Sequence, residues 1–324
     1  MKKQEVFIHI GMPRTGSTFL QTKIFPTIEG VEFIGPPYTQ YGNAFNELLF
    51  ADDTFYDEQK IRSELNSIKG EKLLISNENF IGQSIYFNHI NRTTIANRLK
   101  NIFPDATIIL YLRNQLDLLK SLYSISVMWG EYKTFEQFIY LHSDSFDYAD
   151  HQNKQTINDI NFGHYRTYTS HEHGQGYIYN HLIELYKNLF PKVEIILYED
   201  FELNPLLIAK KLESIFNVSF NKSINNFFTN KNKVHTSINA KQLKWLAKLN
   251  TIKPQTKPTS IITKMYTILR NQILKNFKNS PAFEISEETQ KTLGNYFKGH
   301  NLKLNHDYPE LELGRFKQKY FLEK

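Results

Sequence analysis

The sequence predicts an α/β fold in which a central parallel sheet of about five strands is covered by helices on both faces. Apolar runs of strand length alternate along the chain with segments of helical periodicity. The continuous apolar run from Thr107 to Leu112 is typical of a strand buried on both faces of a parallel sheet. Glycine-rich or polar residues follow several of these runs, where such folds bind their ligands.

The elements follow in a simple order. The predicted strands are residues 6–10, 31–35, 72–76, 107–112 and 193–198. The predicted helices include residues 18–24, 91–103, 116–127, 177–190 and 205–216. Residues 142–176 are polar and predict a surface excursion. Residues 217–240 are expected to form a loop, and residues 254–324 a helical C-terminal extension. We expect residues 1–324 to form one domain.

Composition excludes several classes of site and of protein. The chain has 324 residues, 40% of them hydrophobic, with no cysteine and a net charge of +6. Disulfides, thiolate catalysis and zinc–sulfur sites are therefore excluded. No apolar run is long enough for a signal peptide or a membrane span, so we expect a soluble cytoplasmic protein. The positive charge is explained by an ordinary basic surface, and its functional interpretation is attraction for an anionic cofactor or acceptor. We expect no nucleic-acid partner.

The segment Gly11 to Thr18 joins the first strand to the first helix. Such a turn directs several backbone N–H groups and a helix N-terminus at one point, which suits a phosphate. The loop resembles a Walker A sequence, but Ser17 stands at the lysine position and the cation comes earlier, at Arg14. A cation inside the loop lies beside a 5′-phosphate, which favours a reacting group carried directly on that phosphate.

A second basic residue, Arg113, comes directly after the strand 107–112, and Ser121 follows eight positions later. A guanidinium at the strand end and a hydroxyl two turns into the next helix can bind a second phosphate. A Walker B strand would instead end in the Asp that holds Mg²⁺. Together with the missing lysine, this weighs against a kinase or another nucleoside triphosphatase.

These two motifs resemble those of sulfotransferases that use 3′-phosphoadenosine-5′-phosphosulfate (PAPS), across residues 5–240. The resemblance implies a three-layer P-loop-like fold, in which the loop Arg14, Thr15, Gly16, Ser17 and Thr18 binds the 5′-phosphosulfate. It also implies that Arg113 and Ser121 bind the 3′-phosphate, that adenosine 3′,5′-bisphosphate is the product, and that no metal is required. Lys233 and His235 are expected at the nucleotide by the same resemblance, although a solvated basic loop explains them equally well.

Glu78, just after the strand 72–76, is the candidate general base. A hydroxyl acceptor has to lose its proton as it is sulfated, and a carboxylate within reach can take that proton. The alternative is that Glu78 only caps a helix or pairs with a loop cation. A glutamate here resembles carbohydrate and tyrosyl-protein sulfotransferases more than small-molecule ones, so the acceptor we favour is a saccharide or glycolipid. A lipid or small-molecule acceptor stays open. Arg14 is expected to neutralise charge on the phosphate leaving group.

Two rival functions and one surface contact stay open. A nucleotide kinase or other P-loop phosphotransferase would need Mg²⁺-dependent turnover of ATP. A non-catalytic nucleotide-binding protein on the same fold would bind the bisphosphate and sulfate nothing. The basic segment 260–278 has apolar residues at helical spacing, among them Ile262, Met265 and Leu269. It predicts either a helix packed on the core with a solvated basic face or peripheral contact with an acidic membrane.

Overall fold

A five-stranded parallel sheet organises the first part of the chain. Its strands are β1 (Glu5–Gly11), β2 (Glu32–Ile34), β3 (Lys72–Ser76), β4 (Thr107–Leu112) and β5 (Lys192–Leu197). They are hydrogen-bonded in the order β2-β3-β1-β4-β5, and every pairing is parallel. The predicted parallel sheet of about five strands is confirmed. Because β3 and β4 flank β1, the residues after these three strands meet at one edge of the sheet.

This computed structural model describes residues 4–36, 38, 41–82, 91–139, 174–229, 238–253, 260–277 and 280–323. Its α-helices are α1 (Ser17–Phe19), α2 (Gly42–Phe50), α3 (Glu58–Leu65), α4 (Arg92–Ile102), α5 (Gln115–Trp129), α6 (Phe135–Phe138), α7 (Tyr179–Leu189), α8 (Tyr198–Leu203), α9 (Pro205–Phe216), α10 (Lys222–Thr229), α11 (Ala240–Asn250), α12 (Ile261–Asn276) and α13 (Glu287–Asp307). Single π or 3-10 turns are Leu20–Ile24, Phe25–Thr27, Glu78–Ile81, Gly174–Tyr177, Pro309–Leu311 and Leu313–Phe316.

One face of the sheet is covered by the helical run after β1 together with α9 and α10. Alternate strand residues point to this face, and they form one buried cluster with the helices. The strand members of the cluster are Phe7, Leu74, Ile109, Tyr111 and Ile196. Burial of such side chains contributes about 1.5–3 kcal/mol each. The apolar runs read from the sequence are thus core on this face.

The intervening strand residues, such as Ile8, Ile75 and Ile108, are fully buried on the opposite face. Helices α4 and α7 pack against each other, and α7 packs against β5. The hydroxyl of Tyr186 on α7 donates to the carbonyl of Phe80, at 3.1 Å. This bond ties α7 to the turn Glu78–Ile81, which follows β3.

The chain forms two compact units. The first comprises residues 1–114, 178–234 and 300–324 and contains the sheet, and the second comprises 115–177 and 235–299. In the second unit, α11 packs against α5 and α12. The side-chain amide of Asn250 donates to the carbonyls of Val127 and Glu131, at 2.7 and 2.8 Å. None of the described helices is long and apolar enough to cross a membrane.

The structure differs from three expectations that were based on the sequence. Residues 217–240 were expected to be a loop, but α10 forms there because Ile224 and Phe228, one helical turn apart, are buried together in the core. Tyr198 was placed at the end of the fifth strand, but it is the first residue of α8. The predicted helix 18–24 is a short α1 that continues as a π turn, Leu20–Ile24. Most of the predicted excursion 142–176 lies outside the described residues.

Candidate active site

The loop between β1 and α1 turns sharply against the segment that follows β3. Gly11 ends β1 at φ 107°, and a Cβ atom on it would lie 3.0 Å from the carbonyl oxygen of Glu78. Only glycine fits that approach without strain. Arg14 and Gly16 also have positive φ, at 65° and 86°. The N–H of Met12 donates to the carbonyl of Tyr111 at 2.8 Å, so the loop is anchored to β4 on its other side.

The polar groups of this loop have different hydrogen-bond partners. Thr15 is buried, and its Oγ1 donates to the carbonyl of Met12 at 2.5 Å, which closes the turn. The Oγ of Ser17 donates to Oε2 of Glu78. The carbonyl of Thr18 accepts from Oγ1 of Thr22 at 2.7 Å, inside the helical run. The backbone N–H groups of Ser17 and Thr18 lie at the start of this helical run, where N–H groups can donate to an anion.

Glu78 stands where the sequence placed it, at the first position of the turn after β3. The side chain of Asn77 caps this turn by accepting from the N–H of Asn79 at 3.0 Å, so Glu78 is not the capping residue. Burial raises the pKa of the Glu78 carboxyl, while the hydrogen bond from Ser17 and the charge of Arg14 oppose that rise. A carboxylate with a raised pKa, held against the loop, can accept a proton from a neighbouring hydroxyl.

Arg113 follows β4 and reaches the same loop from the opposite side. Its Nη1 donates to the carbonyl of Arg14 at 3.1 Å. Its guanidinium carbon lies 4.5 Å from the centre of the Tyr198 ring. Its Nε is buried and has no hydrogen-bond partner among the residues that the structure describes. No described carboxylate pairs with it either, so Arg113 keeps donor capacity for an anionic ligand.

Tyr198 is a site residue that the sequence reading missed. Its ring lies 3.6 Å from the position that a Cβ on Gly16 would take, and it stacks on Phe201 with a centroid distance of 6.1 Å. Burial raises the pKa of Tyr198, and the charge of Arg113 opposes this. The ring therefore connects the first loop to Arg113. Its place directly after β5 could have identified it, because β5 is the neighbour of β4.

A buried carboxylate fixes the turn that carries Arg113. Glu199 is 1% exposed, and its Oε1 accepts from both the backbone N–H and the side-chain amide of Asn114, each at 2.8 Å. Its Oε2 accepts from the hydroxyl of Tyr320 at 3.0 Å. The carbonyl of Arg113 accepts from the hydroxyl of Tyr179 at 2.5 Å. Glu199 thus orients this turn and has both oxygens engaged.

The structure brings Arg14, Ser17, Glu78 and Arg113 together around one loop. Ser121 lies on α5, in the second unit, and is partly buried. Lys233 and His235 lie outside the described residues. Across the part of the chain that the structure describes, no three His, Asp or Glu side chains are grouped so that they could hold a metal ion.

No protein-family model and no curated protein matches this sequence. Among solved structures, the chain is similar to a sulfotransferase from Alicyclobacillus acidocaldarius, with a TM-score of 0.45 and 16% identity over 71% of this chain and 91% of that one. It is also similar to the sulfotransferase domain of the curacin biosynthetic pathway, with a TM-score of 0.35 and 15% identity over 91% and 98% of the two chains.

A third similar structure is the sulfotransferase domain of the olefin synthase from Synechococcus PCC 7002. Its TM-score is 0.32, with 14% identity over 88% of this chain and 96% of that one. The identities to these three structures run from 14 to 16%. The strand order and register of this chain place the loop from Gly11 to Thr18 directly after β1, the central strand of the parallel sheet.

Proposed function

We propose that this protein transfers a sulfuryl group from PAPS to a hydroxyl acceptor. The observation that carries the proposal is the hydrogen bond from Ser17 to Glu78. It holds a carboxylate of raised pKa against the loop suited to a phosphate, within the field of Arg14. Phosphate binding and proton removal are therefore available at one point, as transfer to a hydroxyl requires.

The residues present fit the donor. PAPS, when bound, supplies a sulfuryl group on its 5′-phosphate, and its 3′-phosphate is a second anion. The N–H groups at Ser17 and Thr18 and the cation of Arg14 suit the first of these anions. The buried Nε of Arg113, which has no partner among the described residues, suits the second anion, because a buried guanidinium donor is unfavourable until an acceptor binds it.

Each residue has a separate part in the transfer. Glu78 accepts the proton of the acceptor hydroxyl at a carboxylate oxygen as that hydroxyl attacks sulfur. Arg14 and the N–H groups of the loop stabilise the negative charge that collects on the phosphate side as the bridging bond breaks. Ser17 fixes the orientation of the carboxylate by its hydrogen bond.

The acceptor class we propose is a saccharide or a glycolipid. The support for this is the type of base, since a carboxylate rather than an imidazole stands against the loop at Glu78. The Walker lysine position is held by Ser17, whose hydroxyl is already engaged by Glu78, and β4 is followed by Arg113 rather than an aspartate. Both features weigh against a kinase.

A screen of acceptors with radiolabelled PAPS tests the function. We expect the label to appear on one or more saccharides or glycolipids without added metal. Binding of the bisphosphate with no transfer to any acceptor would favour a non-catalytic nucleotide-binding protein. Turnover of ATP that depends on Mg²⁺ would instead show a phosphotransferase.

Adenosine 3′,5′-bisphosphate is expected to raise the melting temperature more than AMP does, because only the bisphosphate offers an anion to Arg113. In the Arg113→Ala variant this preference should disappear, since a hydrogen bond to a charged group contributes about 1.5–3 kcal/mol, or roughly 10- to 150-fold in affinity. Thermal-shift titrations with both nucleotides measure the effect.

The matched control is Arg62→Ala. Arg62 is a partly exposed arginine on α3, paired with Glu58 at 2.8 Å, so its loss should leave the preference for the bisphosphate intact. Equal shifts from AMP and the bisphosphate in the unmodified protein would remove the second phosphate site from the proposal.

A further inference from the structure

Helix α12 in the second unit exposes an apolar surface, which we call the apolar stripe. Its five side chains are exposed by 45 to 75%. They are Ile261, Ile262, Met265, Ile268 and Leu269. Spacings of three, four and seven positions put these residues on one side of a helix. Single exposed apolar residues are ordinary, but five on one side of one helix form a continuous patch.

The opposite side of α12 is the one that packs. The hydroxyl of Tyr266 donates to Oδ1 of Asn250 at 2.5 Å, and Arg270 donates to the carbonyl of Met128 at 3.4 Å. The carbonyl of Leu274 accepts from the side-chain amide of Gln242 at 2.8 Å. The expectation that this helix packs its apolar side on the core and exposes a basic face is therefore wrong for Ile262, Met265 and Leu269, which point outward. The packed side of α12 is held to its neighbours by hydrogen bonds, and it is therefore mostly polar.

The charge of the surrounding segment has one sign. Residues 214–283 contain 12 Lys and Arg and no Asp or Glu, whereas the rest of the chain has 27 basic and 33 acidic residues. The net charge of +6 is thus due entirely to this segment. On α12, Lys264 and Lys275 are exposed and lie along one flank of the apolar stripe. On α11, the ammonium of Lys248 lies 5.5 Å from the centre of the Trp245 ring, which is 46% exposed.

We infer that the apolar stripe binds the surface of an anionic lipid bilayer, with α12 lying parallel to it. No residue of α12 is buried, so much of the helix surface is accessible to a flat partner. The outward Ile, Met and Leu side chains enter the boundary between headgroups and acyl chains, while the lysines stay at the anionic headgroups. An exposed Trp beside a Lys on the neighbouring helix is typical of the same interface.

A second copy of this chain is a poorer occupant. A symmetric contact through the apolar stripe brings the same surface of both copies together. It would juxtapose two basic segments that contain no carboxylate to neutralise them. An anionic bilayer neutralises the charge of the segment and buries the stripe at once.

Co-sedimentation with vesicles tests the inference on the full chain. We expect binding to phosphatidylcholine vesicles that contain phosphatidylglycerol, little binding to pure phosphatidylcholine, and weaker binding as salt rises. Replacing Ile261, Met265 and Ile268 with Gln should lower the partition coefficient by about tenfold or more, since these side chains lose their burial. Lys264→Gln and Lys275→Gln should each lower it by about fivefold.

Matched controls separate the surface from general composition. Phe55, Leu203 and Leu302 are exposed by 82, 63 and 44% in the first unit, and their triple replacement by Gln should leave binding unchanged. Because all six positions are exposed, neither triple variant removes core packing. Equal binding to the two lipid compositions, or unchanged binding of the apolar-stripe variant, would overturn the inference. The inference would also be overturned if the unmodified protein were a dimer in solution and the apolar-stripe variant were a monomer. None of these results depends on sulfuryl transfer.

Discussion

Exchanging Glu78 for Gln is expected to lower sulfuryl transfer by about 10²–10⁴-fold, the usual contribution of a positioned general base. Gln keeps the size of the side chain and can still accept the hydrogen bond from Ser17, but it cannot take a proton. Binding of adenosine 3′,5′-bisphosphate should therefore stay close to that of the unmodified protein. Initial rates with radiolabelled PAPS, together with thermal-shift titrations, separate the two effects.

The same exchange should make the protein more stable at about pH 7. Burial raises the pKa of the Glu78 carboxyl, so the folded state disfavours its charge more than the unfolded state does. Gln carries no charge, so this destabilisation disappears in the variant. The difference should vanish on acidification through the ordinary carboxyl range, where Glu78 is protonated in both states. Urea midpoints at several pH values measure it.

Glu64→Gln on α3 is the matched control for the rate, and it should leave sulfuryl transfer unchanged. Retained turnover in Glu78→Gln would assign proton removal to another group. A Gln variant that is less stable at neutral pH would mean that Arg14 and Ser17 favour the charge of Glu78 more than burial disfavours it.

The strands could be predicted closely because their side chains are buried on both faces. The run 107–112 matches β4, and 72–76 matches β3, since a continuous apolar run of that length has few other solutions in an α/β chain. Arg14, Glu78 and Arg113 could be singled out once the strands were predicted, because the residues that follow parallel strands lie at one edge of the sheet.

The contacts within the site could not be predicted, because they depend on which strands are neighbours. Ser17 and Glu78 are 61 positions apart, and they meet because β1 pairs with β3. The approach of Arg113 to the carbonyl of Arg14 likewise requires β4 on the other side of β1. Helix α10 was not predicted because its two buried apolar residues lie in a segment that is otherwise rich in Asn, Ser and Lys. Tertiary packing, more than local propensity, stabilises it.

Acidification is expected to destabilise the fold through His9, by up to about 5 kcal/mol between pH values of about 6.5 and 3. His9 is fully buried on β1, and burial lowers its pKa from 6.5 to about 3. Below pH 6.5 the imidazole is therefore protonated in the unfolded chain but stays neutral in the folded chain. The free energy of unfolding rises with pH across this window and falls as the pH is lowered.

The surroundings of His9 explain why its imidazole stays neutral in the folded state. Its Nδ1 is hydrogen-bonded to Oγ of Ser76 at 2.7 Å, and that oxygen also accepts from the side-chain amide of Gln21 at 3.0 Å. The rings of Phe25 and Tyr111 lie against its own ring, with centroid distances of 5.5 and 5.3 Å. A charged imidazole must donate from both nitrogens, and Nε2 has no acceptor among the described residues.

His9→Asn and His9→Gln provide the test, with unfolding by urea followed from about pH 7 downward. Each variant should depend less steeply on pH than the unmodified protein, by up to about 1.4 kcal/mol per pH unit, which corresponds to one proton. The slope is the readout because the loss of the ring itself lowers stability equally at every pH. His306→Asn, at a side chain that is 88% exposed, should change the slope much less than His9→Asn does, since exposed charges are screened by solvent.

Identical slopes in His9→Asn and the unmodified protein would show that other groups cause the acid sensitivity. The expected result would have a consequence for the site, because His9 also holds the segment that carries Glu78. Its carbonyl accepts from the N–H of Asn77 at 2.9 Å, and Ser76 and Asn77 lead directly into Glu78. Protonation of His9 would therefore loosen the ends of β1 and β3 together, and nucleotide binding in the unmodified protein should weaken over the same pH range in which its stability falls.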